Sequence, residues 1–174
     1  MARLRKFVAY RRLERPYTRI SKFKKKSYIK TTPNIKVVTF DMGNLKKKFD
    51  YTLKLKSKSD LQIRDNALES ARETSNKLME KTAGLANFHI KIHVYPFHIL
   101  RENPMATGAG ADRFSTGMQK SFGKPIGSAA QIKKGRVLFS ISVDKANIEL
   151  ARKALKRASS KLPCSCSIEI VQNK

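Results

Sequence analysis

RVLFSISVDKANIELARKALKRASSKL, residues 136–162, changes its period part-way along. Arg136 to Val143 is rich in β-branched and apolar residues and reads as a strand. With Ser128 to Lys133, across a Lys134-Gly135 turn, it reads as a β-hairpin. Asp144 is placed to cap a helix. Beyond it the apolar positions become Ile148, Ala151, Leu155, Ala158 and Leu162, at steps of three and four. The opposite face carries Lys153, Lys156, Arg157 and Lys161, and Pro163 stops the helix. A strand that runs into an amphipathic helix needs a shared core, so this stretch fixes a mixed class.

Working outward, the same two periods recur. Phe88, Ile90, Ile92 and Val94 face one way and His89, Lys91 and His93 the other. Pro96 interrupts that ladder and Phe97 to Leu100 resumes it, which places a bulge or edge near Tyr95-Pro96. A helix is expected over Leu61 to Ala83, with Leu61, Leu68, Ala71, Ser75 and Leu78 on one side and Gly84 ending it. Tyr51 to Leu55 alternates as a half-buried strand. Ile35 to Asp41 is β-branched and precedes a turn at Met42-Gly43-Asn44, and Ser167 to Val171 makes a last strand. The expectation is α+β: a two-layer α/β sandwich with a mostly antiparallel sheet, two main helices and six or seven strands. Residues 1–34 form a basic extended arm, and residues 35–174 a single domain containing an internal loop, 101–127. That loop holds five of the eight glycines, so it is either a functional loop or a flexible connection.

The formal charge of +25 makes the partner a polyanion. Residues 1–30 set twelve cations against Glu14 alone and interleave them with Phe7, Tyr10, Tyr17, Phe23 and Tyr28. A basic run by itself fits a targeting tail or a solvated arm. The aromatics favour RNA, because such rings stack on unpaired bases. Pro16 and Pro33 rule out one continuous helix here. The candidate RNA-binding residues are Arg3, Arg5, Lys6, Arg11, Arg12, Arg15, Tyr17, Arg19, Lys22, Lys24, Lys25 and Lys26. In the loop, Arg101, Met105, Arg113, Met118, Lys120 and Lys124 combine mobile apolar tips with cations. No apolar run approaches the roughly 20 residues of a membrane span, and no secretory signal is visible. The only cysteines, Cys164 and Cys166, stand one residue apart and fit a reducing, cytosolic setting.

No catalytic constellation is found. His89 and His93 share a strand face too far apart for one ion, and His98 lies beyond Pro96. Cys164-x-Cys166 lacks a second ligand pair. Gly117 to Lys124 is one residue too long for a phosphate loop, and Pro125 replaces its hydroxyl. The reading is therefore a non-enzyme with no cofactor, no metal site, no small-molecule substrate and no membrane partner. An RNA-modifying enzyme would need a cofactor pocket or general base, and a free-standing RNA chaperone or ribosome assembly factor is the alternative among binding proteins.

YPFHILREN (95–103), GADRFSTGM (110–118), SFGKP (121–125) and QIRDNALE (62–69) together carry a resemblance. They closely resemble the large-subunit ribosomal protein family called L ten e in archaea and eukaryotes, the counterpart of bacterial L sixteen. The likeness runs from the basic N-terminus to the final strand. It implies a hammerhead-like α/β sandwich packed against large-subunit rRNA and neighbouring large-subunit proteins in the cytoplasmic ribosome. It further implies that the loop, here Asn103 to Met118 entered from Arg101, points towards the peptidyl transferase centre and the acceptor ends of bound tRNAs. With Lys174 as its last residue and no long eukaryotic tail, the chain resembles the archaeal members, and an archaeal type is expected.

Overall fold

Leu53, Ile141 and Ile90 lie side by side on adjacent strands, and Leu55, Phe139 and Ile92 make the next row. All six are buried, and two helices close over them. This is the heart of the computed structural model, which describes residues 5–18, 23, 25 and 32–173. The elements run β1 (Asp41–Gly43), β2 (Tyr51–Ser57), β3 (Leu61–Arg64), α1 (Asp65–Ala83), β4 (Phe88–Ile92) and β5 (His98–Glu102). There follow α2 (Ala111–Phe114), β6 (Lys124–Ile132), β7 (Val137–Val143), α3 (Ile148–Lys161) and β8 (Cys166–Gln172). One sheet has the order β1-β4-β7-β2-β8 and the other β3-β6-β5, and every pairing is antiparallel. The chain is α+β, as its alternating periods required.

α1 and α3 pack on each other; α3 covers β2, β7 and β8, while α1 reaches β4 and also β3 and β6 of the second sheet. Fully buried Ala71, Ala151, Ala154 and Ala158 keep both helices close to their neighbours, and Leu68, Met79 and Leu155 fill the space between. Gly84, at φ +78°, ends α1 and donates its N–H to the Glu80 carbonyl at 3.3 Å. No helix among the described residues is long and apolar enough to cross a membrane.

Several sequence expectations need correction. Residues 61–64 are strand, not helix: Leu61, Gln62 and Ile63 are all buried because β3 pairs with β6. The helix begins at Asp65, whose carboxylate accepts the N–H groups of Asn66 and Lys36 at 2.8 and 3.1 Å and favours the positive helix end. Ile35 to Phe40 is a connection rather than a strand. Its one ladder-like bond there runs from Ile92 N–H to the Phe40 carbonyl, and regular pairing starts at Asp41. Gly43, expected in a turn, pairs with His89, and a Cβ there would collide with the Phe88 carbonyl.

Tyr95-Pro96 marks no bulge but does lead to an edge: the chain there leaves the five-stranded sheet for β5, an outer strand of the three-stranded one. Likewise β6 and β7 form no hairpin, since each pairs within a different sheet and the Lys133–Arg136 turn hands the chain between them. Asp144 makes no side-chain cap; its carboxylate takes the Lys47 ammonium at 2.7 Å. The loop is shorter than 101–127, because β5 continues to Glu102 and β6 starts at Lys124. Pro125 sits opposite Arg101 beside a register shift in the β5–β6 ladder, on a stretch of β6 that β3 leaves unpaired.

Candidate nucleic-acid interface

Buried Gln62 ties the N-terminal arm to the three-stranded sheet. Its backbone N–H donates to the Arg11 carbonyl at 3.1 Å, and its side-chain amide donates to the carbonyls of Tyr10 and Arg12. Gln131 on β6 donates to the Glu14 carbonyl at 2.7 Å. At the β5 edge, Tyr17 N–H donates to His98 Nδ1 at 3.0 Å, and Ile99 N–H returns a bond to the Tyr17 carbonyl at 3.0 Å. The protein thus holds the arm by its backbone, and Arg11, Arg12 and Arg15 stand exposed. None of the three meets a carboxylate within ion-pair distance among the described residues. Burial pushes His98 below the usual histidine range, with the nearby Arg101 charge acting the same way and Glu14 opposing. The neutral ring can therefore accept from Tyr17.

The same arm grips the base of the loop. The Arg101 guanidinium lies 3.9 Å from the Tyr17 ring centroid and 3.8 Å from that of Phe122, whose rings meet edge-on at 5.6 Å. Arg101 Nη1 also donates to the Phe122 carbonyl at 2.7 Å. Next in the chain, Glu102 receives Arg5 Nε at 2.5 Å and the Tyr10 hydroxyl at 3.3 Å. Asn103 donates to the Gly117 carbonyl at 3.0 Å. Gly123, at φ +74°, lies so close to the Glu102–Asn103 backbone that a Cβ would sit 2.5 Å from the Glu102 carbonyl. Both stems of the loop are therefore clamped. Beyond the clamp Met105, Arg113, Met118 and Lys120 are exposed, as is Lys124 at the start of β6.

Of the twelve arm candidates, Arg3, Arg19, Lys22, Lys24 and Lys26 lie outside the described residues. Lys6 and Lys25 are exposed; Arg64 donates to the backbone carbonyls of Arg5 and Lys6. Arg5 and Tyr17 are engaged with the loop base, which brings two arm residues and Arg101 into one cluster. Residue-by-residue reading missed Gln62, His98, Glu102 and Phe122. All four sit inside the motif blocks that carried the family resemblance, so the blocks held the signal and composition did not.

Comparison with known sequences then decides the family: residues 16–169 match "Ribosomal protein L16p/L10e". The chain belongs to that family. It is 46% identical over 161 residues to "Large ribosomal subunit protein uL16" of Archaeoglobus fulgidus, covering 92% of this chain and 89% of that one. A protein of the same name from Methanococcus maripaludis is 45% identical over 172 residues, covering 98% of this chain and 96% of the other.

The remaining candidates for chemistry are otherwise engaged. His89 Nε2 contacts the Asp41 carboxylate at 3.0 Å and His93 Nε2 the Ser140 hydroxyl at 2.7 Å. His98 is buried. Burial and the nearby Lys91 charge hold His93 below the usual range. Cys164 and Cys166 are free thiols 3.6 Å apart. A hydrogen bond from Cys164 brings Cys166 down to about 7, and the same pairing, with burial, raises Cys164.

Proposed function

We propose that this chain is a non-catalytic constituent of the large ribosomal subunit in the cytoplasmic ribosome. Large-subunit rRNA and neighbouring large-subunit proteins hold it, and it presents residues 103–123 to tRNA acceptor ends near the peptidyl transferase centre. The observation that carries this reading is the Tyr17–Arg101–Phe122 stack. It joins the arm, which is built to meet phosphates, to the loop, which is built to reach outward. Arg11, Arg12 and Arg15, with the other arm cations, neutralise backbone phosphates and release condensed counterions. Shape rather than base sequence is read, because the contacts are cationic. Arg101 positions the loop, and Arg113 with Lys120 and Lys124 meets the tRNA end or the surrounding RNA. Met105 and Met118, exposed at 54% and 66%, supply adaptable apolar tips. The names borne by the relatives from Archaeoglobus fulgidus and Methanococcus maripaludis support the assignment to the large subunit.

The test is to build large subunits with Arg113→Ala. Assembly yield and sedimentation should match wild type, while binding of a tRNA acceptor end weakens about tenfold, the effect of one lost charge-assisted contact. Unchanged tRNA binding would overturn the role given to the loop.

A further inference from the structure

The basic face of α3 has no part in the interface described above. Between α3 and β8 lies a groove of about 510 Å³ whose walls include Glu149, Arg152, Lys153, Lys156, Ser159 and Cys166, three cations against one carboxylate. Arg152, Lys153 and Lys156 are exposed. Among the described residues none of the three lies within ion-pair distance of a carboxylate, whereas Lys47, Lys56 and Arg72 each do. Arg152 and Lys156 stand one turn apart, about 6 Å along the axis. That separation resembles the spacing of successive phosphates on one strand. Like charges at this spacing repel, so an isolated α3 face is destabilised, and an anion in the groove relieves it. The lining contains no aromatic ring, so nothing there stacks on a base, while three cations and a hydroxyl suit phosphate and ribose oxygens.

We propose that the α3–β8 groove is a second RNA-docking site that takes the sugar–phosphate backbone without reading sequence. Among the described residues the arm reaches α3 only at its C-terminal end, where Phe7 shares a hollow with Lys161, Leu162 and Pro163. β8 is the outermost strand of the five-stranded sheet, whereas the arm is bonded to β3, β5 and β6 of the other sheet. With both occupied, the protein bridges two RNA segments. This inference rests on the assignment to the large subunit and adds a surface to it.

Cys166 lies in the groove wall and reports occupancy. The full chain carrying Cys164→Ser, reduced, is treated with N-ethylmaleimide both free and in salt-washed large subunits, and modification of Cys166 is followed by peptide mass. Modification should be at least tenfold slower in the subunit, and ribonuclease digestion should abolish that protection. The variant Arg152→Gln/Lys153→Gln/Lys156→Gln should still enter subunits through its arm. Its salt dependence of binding to protein-free large-subunit rRNA should fall by about two log units per log unit of salt. Arg152→Lys/Lys153→Arg/Lys156→Arg should restore the wild-type slope, which separates charge from folding. Equal alkylation in free chain and subunit, protection that survives ribonuclease (an acidic protein neighbour), or an unchanged slope in the Gln variant would each overturn the groove. If the wild-type chain never enters large subunits, the assignment to the ribosome fails instead, and does so before the groove is examined.

Discussion

Among the described residues, Arg101 is a cation whose charge acts on the protein itself. A lysine keeps the charge but loses the planar group that fits between Tyr17 and Phe122. Arg101→Lys should therefore cost about 1–2 kcal/mol in urea unfolding and speed proteolysis within residues 103–123. Unchanged cleavage there would mean that the stack does not hold the loop. His98 makes the arm's attachment sensitive to pH. Its pKa is depressed in the fold by burial, so the unfolded chain takes up the proton first. The stabilisation is complete above the ordinary histidine value of about 6.5 and is lost as pH falls from there through the folded value. Unfolding at pH 7.5 and pH 5.5 should show this loss, together with earlier proteolysis of residues 5–18. His98→Asn, which offers Tyr17 N–H an acceptor without titrating, should flatten both responses. None of this was legible from composition: Tyr17, Arg101 and Phe122 were each visible as cation or aromatic, but chain separation hid their meeting.

At the scale of elements, α3 shows what a strong period reveals. Its stripe placed Ile148, Ala151, Leu155, Ala158 and Leu162 in the core; the last four are buried and Ile148 is half-buried against them. Leu155→Ala should cost about 3 kcal/mol, read by denaturant unfolding; a loss under about 1 kcal/mol would mean that the helix is loosely seated. β3 shows the opposite case. Leu61, Gln62 and Ile63 are buried in succession, so no alternation separated this four-residue strand from the helix behind it. Asp65 was the available boundary signal. Strand partners were the least legible feature. Ser128–Lys133 and Arg136–Val143 look like the arms of a hairpin, yet long-range pairing with β3, β5, β2 and β4 assigns them to separate sheets.

The molecule is a small antiparallel body, and among the described residues most of its cations stand exposed on it. A formal charge of +25 on 174 residues repels itself in the free chain, and partner phosphates remove that cost. The body fixes where the charge goes: hydrogen bonds to the arm's backbone turn Arg11, Arg12 and Arg15 outward, and the clamp at Arg101 and Glu102 aims the loop. Net charge and aromatic spacing made a nucleic-acid partner legible from the sequence, whereas the kind of particle entered only through the motif blocks and the family match. The most direct measurement is sucrose-gradient sedimentation of the full chain in lysate at high magnesium, repeated as monovalent salt rises. The chain should travel with large subunits at low salt and be stripped from them as salt increases. A chain that stays at the top of the gradient at every salt concentration would contradict the account.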